Sequence, residues 1–164
     1  MKTLLIVLGN QLFPVGLIRS VNADAIYMAE DLGLCTYEKH HKLKILMFLA
    51  AMREKRDELL AAGLSVNYMD IEQTTFGQSY ESKLADCISA HQITHLTMFE
   101  IEDKDFERRI LAFAASQNIS LTVLPSPMFV LSRQDFADFS RSAKTLRMGN
   151  FYKVVRNRLN LLVD

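Results

Sequence analysis

The 164-residue sequence has no tryptophan, two cysteines, three prolines and no excess charge of either sign. Each shortage removes a class of protein. Cys35 and Cys87 show neither a CxxC spacing nor a partner pattern, so no disulfide and no metal site is expected, and a reducing cytoplasm is the simplest setting. With 19 basic side chains against 19 acidic ones, nothing draws the whole chain toward nucleic acid; any such attraction has to be local. No apolar run approaches the roughly 18 residues of a membrane-spanning helix. The first, Leu4 to Leu8, stops at Gly9-Asn10 and is also too short for a signal-peptide core. There is no internal repeat, low-complexity tract or Pro/Gly/Ser-rich linker, and Glu72 to Gln78 reads as a polar loop. One domain over residues 1–164 is expected.

What is present is apolar residue, 49% of the chain, and its pattern alternates. Leu4 to Leu8, Ala25 to Ala29, Leu64 to Met69, His95 to Phe99 and Ile119 to Leu124 are short runs, most of them rich in Val, Ile, Leu, Thr or Tyr, which predicts five strands. Between them lie helical periodicities. The longest runs from about Tyr37 to Ala62 and is stopped by Gly63, a residue suited to the left-handed position after a helix. Ser79 to His91 repeats apolar residues at Leu84, Cys87 and Ile88, and a third helix carries Phe106, Ile110, Phe113 and Ala114 up to Asn118. Ser132 to Asp135 resembles a capping box ahead of a fourth, and a last helix should cover Asn150 to Leu162. Alternating strands and helices with crossovers of this length predict an α/β domain: an open, mostly parallel five-stranded sheet with helices on both faces, Rossmann-like or flavodoxin-like.

In such sheets ligands bind beyond the carboxyl ends of the strands, which directs attention to Gly9-Asn10-Gln11 after the first strand and Glu30 after the second. One glycine is not a dinucleotide fingerprint, and a plain tight turn at Gly9 is an equal reading. His40 and His41 are adjacent and point about 100° apart on a helix. His91 and His95 straddle a helix–strand boundary. No catalytic residue and no metal ligand is therefore assigned, and no hydrolase motif is present. The long helix carries two neighbouring apolar stripes, Leu43-Leu46-Met47-Ala50 and Ile45-Phe48-Leu49-Met52. That width predicts burial on two sides, or a second stripe given to a ligand or to another domain. Near the end Arg141, Lys144, Arg147, Lys153, Arg156 and Arg158 accumulate with no acidic residue between Phe139 and Val163. A solvated helical face or a phosphate or nucleic-acid contact would each fit.

Four segments in order, Leu8-Gly9-Asn10-Gln11-Leu12, Tyr37 to Lys44 with its His40-His41 pair, Ala51-Met52-Arg53, and Leu146-Arg147-Met148 through Phe151-Tyr152, resemble the deoxyribodipyrimidine photolyase-related family. Its members are iron–sulfur bacterial cryptochromes and (6-4) photolyases. The resemblance implies an amino-terminal α/β domain that holds an antenna chromophore, typically a ribityl lumazine, beside Gly9, Asn10, Gln11, Glu30, Leu34 and Phe48. It implies as partner a carboxyl-terminal helical domain, absent from this chain, that carries FAD and an iron–sulfur cluster and receives DNA. The whole protein would be a light-dependent repair lyase or a blue-light sensor, and this fragment alone would catalyse nothing. The family commonly has an acidic residue where Asn10 stands, and often one at Leu34, so lumazine, another antenna or none stay open. A stand-alone nucleotide or small-molecule binding module reusing the fold is the alternative.

Overall fold

The computed structural model describes residues 1–71 and 76–161. Most of the loop expected over Glu72 to Gln78, and the end of the last helix expected at Leu162, lie outside the described residues. Two compact units make up the chain, Met1–Leu124 and Pro125–Asp164.

The first unit is built on five strands, β1 (Thr3–Ile6), β2 (Ala25–Ala29), β3 (Val66–Met69), β4 (His95–Phe99) and β5 (Ser120–Leu124). They form one sheet in the order β3-β2-β1-β4-β5, with every pair parallel. This is the Rossmann strand order rather than the flavodoxin one. All five strands fall where the apolar runs predict them.

Successive side chains of a strand point to opposite faces, and β1 distributes its residues accordingly. Leu4, Ile6 and Leu8 join one core with Tyr80, Leu84 and Ile110. Leu5 and Val7 join another with Ile18, Met52 and Leu59. Helices α4 (Tyr80–His91) and α5 (Lys104–Ser116) thus cover one face, and α1 (Val15–Ser20) and α3 (Lys42–Ala61) the other. A five-residue helix, α2 (Leu32–Thr36), follows β2.

The long helix starts later than its composition suggests. His41 adopts an extended conformation and its Nδ1 accepts the amide of Leu43 at 3.2 Å, a side-chain cap that fixes the helix start. Tyr37, expected to open that helix, instead closes α2, its amide donating to Gly33 O at 3.0 Å. At the other end Gly63 has φ +77°. The Gly63 amide donates to Leu60 O and the Leu64 amide to Leu59 O, a Schellman closure. Of the two apolar stripes, Leu43, Leu46 and Met47 are exposed, at 61–63%. Burial on both sides is therefore not what the helix does. Only the second stripe turns inward.

The second unit pairs α6 (Arg133–Ser142) with α7 (Met148–Leu159). The ring of Phe151 meets Phe136 and Phe139, each with centroids 5.1 Å apart. Ser132 and Asp135 form the expected capping box. The Ser132 hydroxyl, the Arg158 guanidinium and the Ser132 amide hold the Asp135 carboxyl at a pKa of about 2. Arg158 thus pairs with Asp135, and Arg141 pairs with Asp138. Part of the basic excess at the end of the chain is compensated inside this unit, while Lys144, Arg147 and Lys153 stay exposed.

Two substitutions separate packing from backbone geometry at the end of α3. Leu59→Ala, at a side chain with no exposure, should cost about 2–5 kcal/mol. Gly63→Ala should cost about 1 kcal/mol through the positive φ alone. Urea denaturation of each variant measures both, and the first should exceed the second.

Candidate functional site

The carboxyl ends of β1, β2 and β4 converge on a crevice of about 270 Å³. It lies at the point where the order of strands reverses, with β2 on one side of β1 and β4 on the other. Crossovers leave in opposite directions there and part the loops above the sheet. Its buried floor includes Leu8, Ala29, Met52, Tyr80, Ile101 and Phe106. Ile45, Phe48 and Leu49, the rest of the inward stripe of α3, form one wall. Asn10, Tyr37, Lys44 and Asp103 stand exposed at its rim.

Of the residues singled out in the sequence, Gly9, Asn10, Glu30, Leu34 and Phe48 all line this crevice. Gln11 does not: it is buried, and its Nε2 donates to Glu100 O at 2.8 Å. Gln11 ties the β1 turn to the end of β4. The role of Gly9 is close approach rather than a left-handed backbone, since Gly63 is the glycine with positive φ. A Cβ at position 9 would sit 2.8 Å from Met52 Sδ and 3.6 Å from Phe48 Cδ1. That approach brings α3 down onto the β1 turn. Asn10 reaches outward, donating from Nδ2 to Glu102 Oε2 at 3.0 Å.

Glu30 is the most heavily bonded side chain of the site. Its Oε1 accepts from Arg53 Nε and from the Tyr68 hydroxyl, each at 2.6 Å, and its Oε2 accepts from Arg53 Nη2 and the Ile71 amide, each at 2.9 Å. Burial pushes the Glu30 carboxyl up, but the bonds from Arg53, Tyr68 and Ile71 outweigh it and hold the pKa below the usual 4.5. The next residue does the same toward the other face. Asp31 caps α2 through the Leu34 amide at 3.0 Å and accepts from Lys83 Nζ at 2.9 Å. Lys83 is 1% exposed and also donates to Glu30 O at 3.1 Å. Among the described residues the hydroxyl of buried Tyr80, in the crevice lining, has no hydrogen-bond partner.

Sequence reasoning passed over Asp31, Lys83 and Tyr68. One signal was available: Lys83 sits on the apolar stripe Tyr80-Leu84-Cys87, and a lysine on a buried helix face requires a buried anion. His40 and His41, expected on a helix, both precede it, and His41 is the cap of α3. His91 ends α4, while His95 opens β4 and bonds Ser120 Oγ and Thr122 Oγ1.

Strand order and crevice define an α/β domain of Rossmann order with an open cavity at its switch point. Its lineage is narrower: the family model described as deoxyribodipyrimidine photo-lyase-related protein matches residues 5–164, and the chain belongs to that family. A (6-4) photolyase of Agrobacterium fabrum is 26% identical over 167 residues, which take in all of this chain and 33% of that protein. The chain therefore spans a third of that photolyase's length. An uncharacterised protein of Acanthamoeba polyphaga mimivirus is 24% identical over 179 residues, all of this chain and 86% of the viral protein. Among the described residues no helix is long and apolar enough to cross a membrane.

Lys83→Met should destabilise the protein by about 3–5 kcal/mol by stranding Asp31 as a buried unpaired charge. Adding Asp31→Leu should return part of that loss, as read by chemical denaturation. Glu30 sets a pH dependence. Because its folded pKa is lowered from 4.5, its contribution is present above that value and is lost as pH falls below it. Stability of the native chain should drop more steeply between about pH 5 and about pH 3 than that of Glu30→Gln, as followed by thermal melts.

Proposed function

We propose that the crevice holds an antenna-type chromophore, a planar heterocycle of the ribityl lumazine or flavin kind. In this reading the chain is the amino-terminal domain of a photolyase- or cryptochrome-like protein. The observation that supports it is the crevice itself, in a chain of photolyase-related family: apolar walls with a polar rim, at the switch point of the sheet. Planar rings need flat apolar contacts and a few fixed polar groups. Phe48, Met52, Ile101 and Phe106 supply the first, and Asn10, Tyr37 and Lys44 at the rim supply the second. When bound, such a group absorbs near-ultraviolet light and passes the excitation on. The residues of this chain bind it, orient it and shield it from water. Glu30 contributes by bracing the floor, since Arg53, Tyr68 and Ile71 already occupy its carboxylate oxygens.

An iron–sulfur cluster does not fit this chain. Four thiolates are needed, the sequence has two cysteines, and one of them, Cys87, is buried on α4. The cluster, FAD and DNA contact belong in this reading to a further helical domain, and repair or light sensing to the whole protein in the cytoplasm. A second reading, a stand-alone small-molecule module, draws on the viral relative, 86% of which the chain covers.

The test is to reconstitute the purified chain with 6,7-dimethyl-8-ribityllumazine and with riboflavin, and to record near-ultraviolet absorbance and fluorescence after gel filtration. Retained chromophore that is lost in Phe48→Ala and in Gly9→Val is expected. A colourless protein that refuses both compounds would sink the antenna reading. Stabilisation by a nucleotide in the same colourless protein would favour the module.

A further inference from the structure

The rim of the crevice carries one exposed cation, Lys44, and one exposed acid, Asp103, and the start of α3 beside it is electrically lopsided in a way that works against the fold. Helix α3 has 20 residues and no acidic residue in its first turn. Its N-terminal end instead gathers the cations Lys39, Lys42 and Lys44 after Glu38, with His40 and His41 between them and the His41 Nδ1 accepting the Leu43 amide. The partial positive charge of a helix N-terminus stabilises anions and repels cations. Cations gathered there lower the stability of the helix unless something negative joins them.

The crevice places two of these groups where a ligand would meet them. Lys44 and His40 both line it, with Lys44 Nζ 3.3 Å from His40 Nδ1 and 6.0 Å from the ring centroid of Phe48. Tyr37 stands beside them, its ring 5.9 Å from that of His40. The two buried carboxylates of the lining are already matched, Glu30 with Arg53 and Asp31 with Lys83. Among the described residues Lys44 has no carboxylate partner. The remaining lining acid, Asp103, caps α5 through its Oδ1, which accepts the amides of Asp105 and Phe106.

Size then decides where a charged group of the ligand would go. About 270 Å³ falls just short of the usual small-molecule range of roughly 300–1,000 Å³. A heterocycle fills it, and a side chain on that heterocycle has to leave through the rim.

We infer that Tyr37, His40 and Lys44 form an anion subsite, and that the crevice takes a planar heterocycle whose side chain ends in a phosphate. The inference rests on reading the crevice as a chromophore site and goes further by assigning the charge of the ligand. Lys44 and His40 are specificity-determining residues here: they separate a phosphorylated ligand from its neutral counterpart while leaving ring binding to the apolar wall.

Flavin fluorescence titrations of the purified chain with riboflavin and with flavin mononucleotide, which differ by one phosphate, test it directly. The mononucleotide should bind about tenfold tighter, and that advantage should shrink as salt is raised from about 0.02 M to about 0.5 M. Lys44→Gln, and Lys44→Gln with His40→Gln, should bring the mononucleotide down to the affinity the same variant shows for riboflavin, so that the ratio of the two affinities falls to about one. Both side chains lie outside the buried cores, and an unchanged thermal melt of each variant reports an intact fold. Equal binding of the two flavins by the native chain overturns the anion subsite and leaves the crevice as a ring site. If neither flavin nor dimethylribityllumazine binds, the chromophore reading falls with it.

Discussion

Two consecutive carboxylates at the end of the second strand hold this molecule in register. Glu30 and Asp31 are both buried, and an extended backbone sends neighbouring side chains to opposite faces. Glu30 therefore meets Arg53 of α3 on one side, and Asp31 meets Lys83 of α4 on the other. The Asp31–Lys83 pair is buried, while Arg53 keeps 37% exposure beside the buried Glu30; such pairs contribute little net stability against well-packed apolar residues, and the buried one is the costlier to break. Their effect is positional. They fix the long helix and its counterpart to the same point of the sheet, and the main-chain amide of Glu30 is held in turn by Met69 O at 2.8 Å.

The crevice is a consequence of that clamp and of strand order. Strands β2 and β4 flank β1, so the loops above them diverge. Arg53 draws α3 across the gap, and Gly9 lets it come down to contact. Phe48 and Met52, five and one residues before Arg53, form the wall without further devices. In the proposed reading, what the crevice binds is set by side chains the clamp leaves uncommitted, the apolar wall of α3 and the basic group at its start. The acids of the site are spent on architecture.

The architecture was legible because buried parallel strands announce themselves as short apolar runs ended by turn residues, and β1 to β5 are of that kind. Helices α1 and α2 were not foreseen: six and five residues are too few turns to display a period. The start of α3 was misplaced because Tyr37 to His41 is compatible with a helix, and only the His41 side chain folding onto the Leu43 amide ends it there. The lining of the candidate crevice was half visible. Gly9, Asn10 and Glu30 follow from strand ends and topology, Leu34 and Phe48 from resemblance. Which stripe of α3 faced the sheet was hidden, since both are equally apolar. Lys83 was the informative exception, a charge on a buried face whose partner the sequence does not point to.

The most direct measurement of the central claim, that the ligand site is the β1–β4 crevice faced by α3, is methyl-selective NMR during titration with dimethylribityllumazine or flavin mononucleotide. Shifts concentrated on the methyls of Met52, Ile45, Leu34 and Ile101, with Leu59 and Ile110 unmoved, are the expected result. Saturable binding that leaves those four unchanged and moves methyls elsewhere would contradict the account.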